Sequence, residues 1–403
     1  MSYQTARRAE FDWLRVLALG MLMIFHSIMG YSVWPWHVND PHDSALLNGV
    51  LDFMLRWRVL LVFIVSGSAL MLALDRRGPL AILRERSARL LVPLVFGMAV
   101  IVPPQIYLDR VQHGKFHGSF LEYLPHAYSG IYPAGNLTWN HLWFIPYVLT
   151  LTAAGMPLFL WARAPERRAT LKRWMGAVAD GRLYWLLVIP LALSQILLLR
   201  QGSDNHTFIG DGHGWIEFGT LFVLGGAMAR WPAILASIQR ERYAALVVGI
   251  VAYSALRKEW PQDPISMPGV FGWCNISAIN VLAWVLAFVG FLTRWFNRGS
   301  PALTYLTEAA MPVYMLHQTL IVFVVYDMHR YTLPVGLKIV FTLCFTILAA
   351  LALYEGAIRR STWLRILFGV KPRAQAIGPE LLVQNTSVTS RWTAPSSSDR
   401  RPL

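Results

Sequence analysis

Apolar stretches about as long as a bilayer is thick recur from one end of this sequence to the other. That recurrence leaves few folds open. At about 1.5 Å of rise per residue, roughly 20 apolar residues cross the ~30 Å of hydrocarbon in a membrane. Ten such stretches stand out, near 13–33, 50–74, 90–108, 141–162, 183–199, 214–229, 243–256, 275–293, 303–325 and 339–357. In hydrocarbon every backbone N–H and C=O must be paired within the structure, so each stretch reads as an α-helix. The expected fold is all-α, a polytopic membrane helical bundle of about ten transmembrane helices. Of 403 residues 55% are hydrophobic and only 14% charged, where a soluble chain carries about 25% charge.

The loops set an expected orientation. Segments 1–12, 75–89, 163–182, 230–242, 294–300 and 358–373 hold 23 Lys and Arg, whereas the alternating set holds 7. By the positive-inside rule both termini face the cytoplasm. The net charge of +14 is spread over these short loops and forms no single patch, which argues against a nucleic-acid partner. Trp34, Trp36, Trp139, Trp143, Trp215 and Trp273 fall where spans meet the outer loops, as an interfacial belt does. All eleven histidines lie in outer loops or in spans. Cys274 and Cys344 are the only cysteines, which gives neither a disulfide framework nor a thiolate metal site. The first apolar segment has no small-residue cleavage site and reads as a retained helix. Residues 8–370 form the expected membrane domain, and 371–403, polar and rich in Ser near Pro395, an expected disordered cytoplasmic tail.

Two polar residues inside the first span carry the functional reading. Arg15 and His26 are eleven residues apart, so they fall within about 20° of one helical face and about 16 Å apart along the axis. Intramembrane polar groups cost about 2.5–3.5 kcal/mol near a helix centre, which favours retention for a function. A neutral imidazole suits abstraction of a hydroxyl proton, and equally suits a hydrogen bond to a neighbouring helix. Arg15 reads either as a ligand for an anion or as a snorkelling topology anchor, with Asp12 as a local partner. Arg86 and Arg89 share a face at the start of the third span. They fit a grip on a phosphate-rich ligand, or ordinary flanking charge. His141, at the outer mouth of span four, and His317, about two-thirds of the way outward along span nine, match His26 in depth.

Other chemistry is absent from the pattern. No Gly-rich phosphate loop, dinucleotide fingerprint or Gly-x-Ser-x-Gly elbow occurs. His113 and His117 are four apart but have no nearby Cys or paired carboxylate, so no metal site is expected. Glu217, Glu308 and Glu355, in or at the ends of spans, keep open a transporter or flippase for a glycan precursor or small anion. The two similar halves common in such proteins are not found.

In order along the chain stand Phe11-Asp12-Trp13-Leu14-Arg15 with His26, Val62-Phe63-Ile64-Val65-Ser66-Gly67, Arg86-x-x-Arg89, His141-Leu142-Trp143-Phe144, Phe222-Val223-Leu224-Gly225-Gly226 and Tyr314-Met315-Leu316-His317-Gln318. Together, across roughly 8–370, they resemble acyltransferase family 3, the integral-membrane O-acyltransferases of bacteria, and its stand-alone glucan-biosynthesis branch. The resemblance implies transfer of an acyl group, acetyl or succinyl, from cytoplasmic acyl-CoA to a hydroxyl of an extracytoplasmic glycan or glycolipid. It implies His26 as the catalytic base or acyl relay, Arg15, Arg86 and Arg89 as donor-binding residues, and His141, Trp143, His317 and Ser66 as substrate-binding residues. Acyl-CoA is then a donor substrate rather than a tightly bound cofactor. The implied partners are the glycan acceptor, the lipid bilayer and glycan-assembly proteins, and the implied site is the bacterial inner membrane. Arg56-Trp57-Arg58 departs from the apolar lead expected for span two, and reads as an outer mouth that favours an anion.

Overall fold

The computed structural model describes residues 8–42, 44–201, 207–258 and 267–371. The expected tail therefore lies, apart from Lys371, outside the described residues, as does His206. The described residues form a helical bundle with no strand and one isolated bridge, Ile131 to Leu137.

The chain opens with α1 (Ala9–Met29), one unbroken helix that carries both Arg15 and His26. The second span, Ala45–Leu74, is two helices, α2 (Ala45–Leu55) and α3 (Leu60–Leu74), joined by a turn at 56–59. Arg56-Trp57-Arg58 thus sits inside the span and not at its mouth, which corrects the sequence-based placement. The third span, Pro79–Gln112, runs through α4 (Pro79–Phe96), a π-turn at Gly97–Ile101 and α5 (Pro103–Gln112). Pro103 and Pro104 have no N–H to give the preceding turn, so its carbonyls need other donors. Tyr128 Oη supplies Ala99 O at 2.7 Å, and Thr319 Oγ1 supplies Ile101 O at 2.9 Å. The chain continues through the short α6 (Phe120–Tyr123), α7 (Phe144–Arg163), α8 (Arg168–Asp180) and α9 (Val188–Gln201). It ends with α10 (Gly212–Arg230), α11 (Pro232–Lys258), α12 (Met267–Trp295), α13 (Pro301–Met328), α14 (Val335–Leu353) and α15 (Thr362–Leu367).

Among the described residues, eight helical stretches are long and apolar enough to cross a membrane, or nine if α10 and α11 count as one bent span. This falls short of the ten expected, and the difference lies in the sixth and seventh stretches. Gln239, Arg240, Glu241 and Arg242 interrupt α11, while His213, Glu217 and several glycines dilute α10. The two meet at 109° across Trp231, whose extended backbone precedes Pro232.

Helix α14 shows what solvent the bundle is built for. Leu337, Phe341, Phe345 and Leu348 are exposed on one side, while Lys338, Thr342, Thr346 and Ala350 are buried on the other. A soluble helix has the opposite pattern; apolar outside and polar inside is the arrangement for lipid. Helices α3 and α10 approach most closely where each has a glycine. A Cβ on Gly67 would stand 1.8 Å from Phe222 O, and one on Gly225 2.0 Å from Ile64 O. Two of the sequence motifs are therefore the two sides of a single helix–helix seam.

Candidate active site

Helix α1 packs against α3, α12, α13 and α14, so a residue on its inner face meets the centre of the bundle. His26 lies there, one turn before the end of α1. His317 comes from the middle of α13 and is fully buried; His141 comes from the 3₁₀ turn Asn140–Trp143 ahead of α7 and is 6% exposed. The three histidines, scattered over 291 residues of sequence, converge. His26 Nδ1 is 3.0 Å from His317 Nε2, with the rings stacked at 5.2 Å. His141 meets His317 edge to face at 5.3 Å.

Hydrogen-bond direction fixes the tautomers. His317 Nδ1 lies 2.6 Å from Tyr314 O, and a carbonyl can only accept, so that nitrogen carries the proton. Neutral His317 then offers a lone pair at Nε2, and His26 Nδ1–H donates to it. Neutral His26 is left with its own lone pair on Nε2, which makes no hydrogen bond among the described residues. His26 is half-buried, and Nε2 is not fully enclosed. His141 donates from Nε2 to Met315 O at 3.1 Å, while Tyr314 Oη donates to His141 O at 2.5 Å. The pair of contacts ties the 3₁₀ turn to α13.

The loop after α1 roofs this cluster. Asn39 Nδ2 donates to Met29, Ser32 and Trp34 carbonyls and folds the loop back on α1. Buried Lys338 of α14 pairs with Asp40. Thus anchored, Trp36 stacks on His26 with centroids 5.8 Å apart. Below the loop, Asn140, Gln105 and Gln318 share one amide network: Asn140 Nδ2 donates to Gln105 Oε1 at 2.8 Å and Gln318 Nε2 to Asn140 Oδ1 at 3.0 Å.

The arginines form a second centre. Arg86 donates from Nη1 to Thr152 Oγ1 at 2.8 Å and from Nη2 to Ser66 O at 3.4 Å, and it stands within electrostatic reach of Arg15 and Arg89. Arg89 Nε donates to Gly369 O at 3.0 Å, and its Nη1 lies 3.6 Å from Glu85, which also pairs with Arg77. Arg86 has a hydroxyl and a carbonyl for partners and no carboxylate among the described residues. A guanidinium so placed presents net positive charge to an incoming anion.

A basic centre and an open imidazole, joined by one helix, make up the site. The acyltransferase domain characteristic of acyltransferase family 3 matches residues 8–355. The chain belongs to acyltransferase family 3. Glucans biosynthesis protein C of Salmonella gallinarum (strain 287/91 / NCTC 13346) is 25% identical over 380 residues, covering 89% of this chain and 93% of the relative. Glucans biosynthesis protein C of Salmonella typhi is 26% identical over the same length and coverage. No solved structure matches the chain. The protein is a multi-pass membrane acyltransferase.

Within this acyltransferase the residues singled out from sequence separate into groups. His26, His141 and His317 come together, and Arg15, Arg86 and Arg89 gather at the other centre. Ser66 lies with the arginines: its hydroxyl donates to Val62 O at 2.8 Å, and its carbonyl supports Arg86. Trp143 packs on Tyr147 at 5.7 Å and Phe218 at 5.6 Å, in an aromatic cluster between α7 and α10. Sequence reasoning missed the Trp36 lid and the amide network, and it placed Arg58 at the outer mouth of span two instead of beside His26. The Arg58 guanidinium, 7% exposed, lies 3.3 Å over the Phe25 ring and within electrostatic reach of His26. The signal for Arg58 was present as an arginine inside an apolar stretch, a costly position that favours function.

Proposed function

We propose that this acyltransferase moves an acetyl or succinyl group from acyl-CoA to a hydroxyl of a glycan across the bacterial inner membrane. The arginine centre faces the cytoplasm and takes the phosphates of the donor, with Arg86 as the central contact. The pantetheine arm runs along α1 toward His26, over the ~16 Å that eleven helical residues span. His26 Nε2 removes the proton from the acceptor hydroxyl as its oxygen attacks the thioester carbonyl. The tetrahedral adduct collapses with cleavage of the C–S bond, and the His26 imidazolium returns the proton to the departing thiolate. The products are the O-acyl glycan and free CoA, with atoms and charge balanced. A positioned base of this kind contributes about 10²–10⁴-fold.

The observation that supports this reading most is the direction of the Tyr314–His317–His26 hydrogen bonds, which leaves the base lone pair on the open nitrogen of His26. The relatives' name, glucans biosynthesis protein C, favours a glucan as acceptor. Membranes containing the protein, supplied with acyl-labelled acetyl-CoA or succinyl-CoA and a glucan oligosaccharide, are expected to place label on the sugar as an alkali-labile ester. Flux of the oligosaccharide through sealed vesicles without any acyl donor, and no label on the sugar, would contradict the proposal and favour transport.

A further inference from the structure

One wall of the arginine centre comes from a segment that the transfer step does not use. Beyond α14 the chain reaches Ser361, whose Oγ caps α15 by accepting from Leu364 N at 3.4 Å. Gly369 then closes this six-residue helix in the left-handed region, with φ +68°. Its N–H donates to Ile366 O at 3.1 Å and the Val370 N–H to Arg365 O at 2.7 Å, the paired bonds of a Schellman cap. Both N–H groups are used in the turn, but the Gly369 carbonyl is not. It accepts from Arg89 Nε at 3.0 Å, so the cap that ends α15 holds a side chain of α4.

Three contacts fix the segment in place. Arg365, 6% exposed, puts Nη2 2.8 Å from Glu308 Oε1 of α13. Phe368, 5% exposed, packs edge to face on Phe96 of α4 with centroids 5.3 Å apart. Gly369 itself lies against the Arg89 carbonyl, which Pro93, four residues on, has no N–H to satisfy. A Cβ at 369 would stand 2.7 Å from that carbonyl and 3.0 Å from Pro93 Cγ, so both the fit and the φ require glycine. The segment lies past residue 355, where the match to the family domain ends, so the domain motifs do not account for this hold on Arg89.

The contact decides which edge of the guanidinium an anion meets. With Nε–H spent on Gly369, the terminal Nη1 and Nη2 groups remain as the bidentate edge for a phosphate. Glu85, which also pairs with Arg77, stands 3.6 Å from Nη1, beyond hydrogen-bond distance. The Arg89 side chain is 45% exposed, so its remaining N–H groups are within reach of an incoming anion. We propose that residues 361–370 form a strap whose Gly369 carbonyl positions Arg89 for the phosphates of the acyl donor. The proposal rests on the reading of the arginine centre as the donor site.

The test uses full-length protein in lipid nanodiscs and acetyl-CoA as probe, with Gly369→Val, Arg89→Gln and the double variant. Acetyl-CoA affinity is measured without acceptor, and KM for acetyl-CoA and for a glucan oligosaccharide are measured in turnover. Arg89→Gln is expected to raise the donor Kd and KM about 10-fold or more, and Gly369→Val about fivefold or more. The oligosaccharide KM should move by less than about twofold in both. In the Arg89→Gln background Gly369→Val should add less than about twofold, because it acts through the side chain already removed. A merely structural strap would give the same fold-loss in both backgrounds. Should Gly369→Val fail to fold, Phe368→Ala loosens the strap from Phe96 and carries the same test. Wild-type donor affinity in Gly369→Val, or an equal loss with and without Arg89, would overturn the strap and leave the donor site at the arginines intact. Wild-type donor affinity in Arg89→Gln would instead refute the donor reading there, and the strap's role with it.

Discussion

The histidine centre and the arginine centre each take one residue from α1, His26 and Arg15, yet they are built on opposite principles. At the histidines, polar groups satisfy one another in a fixed direction, from His26 to His317 to the Tyr314 carbonyl, and one lone pair is left over. At the arginines, Arg86 is supported by neutral oxygens from Ser66 and Thr152, and positive charge is left over. The first arrangement is suited to moving a proton, because the orientation of the base is set before substrate enters. The second suits holding an anion, because the support costs none of the charge. Under the proposed function, the contrast would assign rate to one end of α1 and donor affinity to the other.

The sharpest way to break this division is at His26. His26→Ala is expected to lower kcat by about 10²–10⁴-fold, with acyl-CoA affinity held within a few-fold, as read by steady-state transfer and donor binding. Next comes Arg86→Gln, which removes the charge and keeps a polar group of similar length. Its acyl-CoA KM should rise about 30-fold or more, with a smaller change in kcat, consistent with a loss of at least ~2 kcal/mol for a charged contact. His317→Gln keeps an acceptor for the His26 N–H but loses the rigid ring, so kcat should fall about 10-fold while His317→Leu falls further. The smallest effect belongs to Ser66→Ala. Its hydroxyl is engaged by its own helix and only its carbonyl meets Arg86, so the donor KM should rise by no more than about threefold. A tenfold or greater rise would place the Ser66 hydroxyl on the donor and redraw the arginine centre.

Much of the fold was legible because bilayer thickness imposes a length on each helix, and the same argument placed Arg15 and His26 on one face. It failed where polar residues interrupt long helices, as Gln239–Arg242 do in α11. It also placed Arg58 at a mouth, because the break at 56–59 has no proline or glycine to announce it. In the site, depth along each span grouped His26, His141 and His317, but only tertiary packing sets which nitrogen faces which partner. The Val62–Gly67 and Phe222–Gly226 motifs were legible as strings and not as a pair, since the seam between them joins segments about 160 residues apart.

A double-mutant cycle on His26→Ala and Arg86→Gln, in acyl transfer from acetyl-CoA to a glucan oligosaccharide, tests the division most directly. Sites this far apart with no shared partner are expected to add within about 0.5 kcal/mol. The account predicts that the histidine change acts on kcat, that the arginine change acts on donor KM, and that the double variant shows the product of the two losses in kcat/KM. A double variant no worse than His26→Ala alone, or an Arg86→Gln that lowers kcat as far as His26→Ala does, would contradict it.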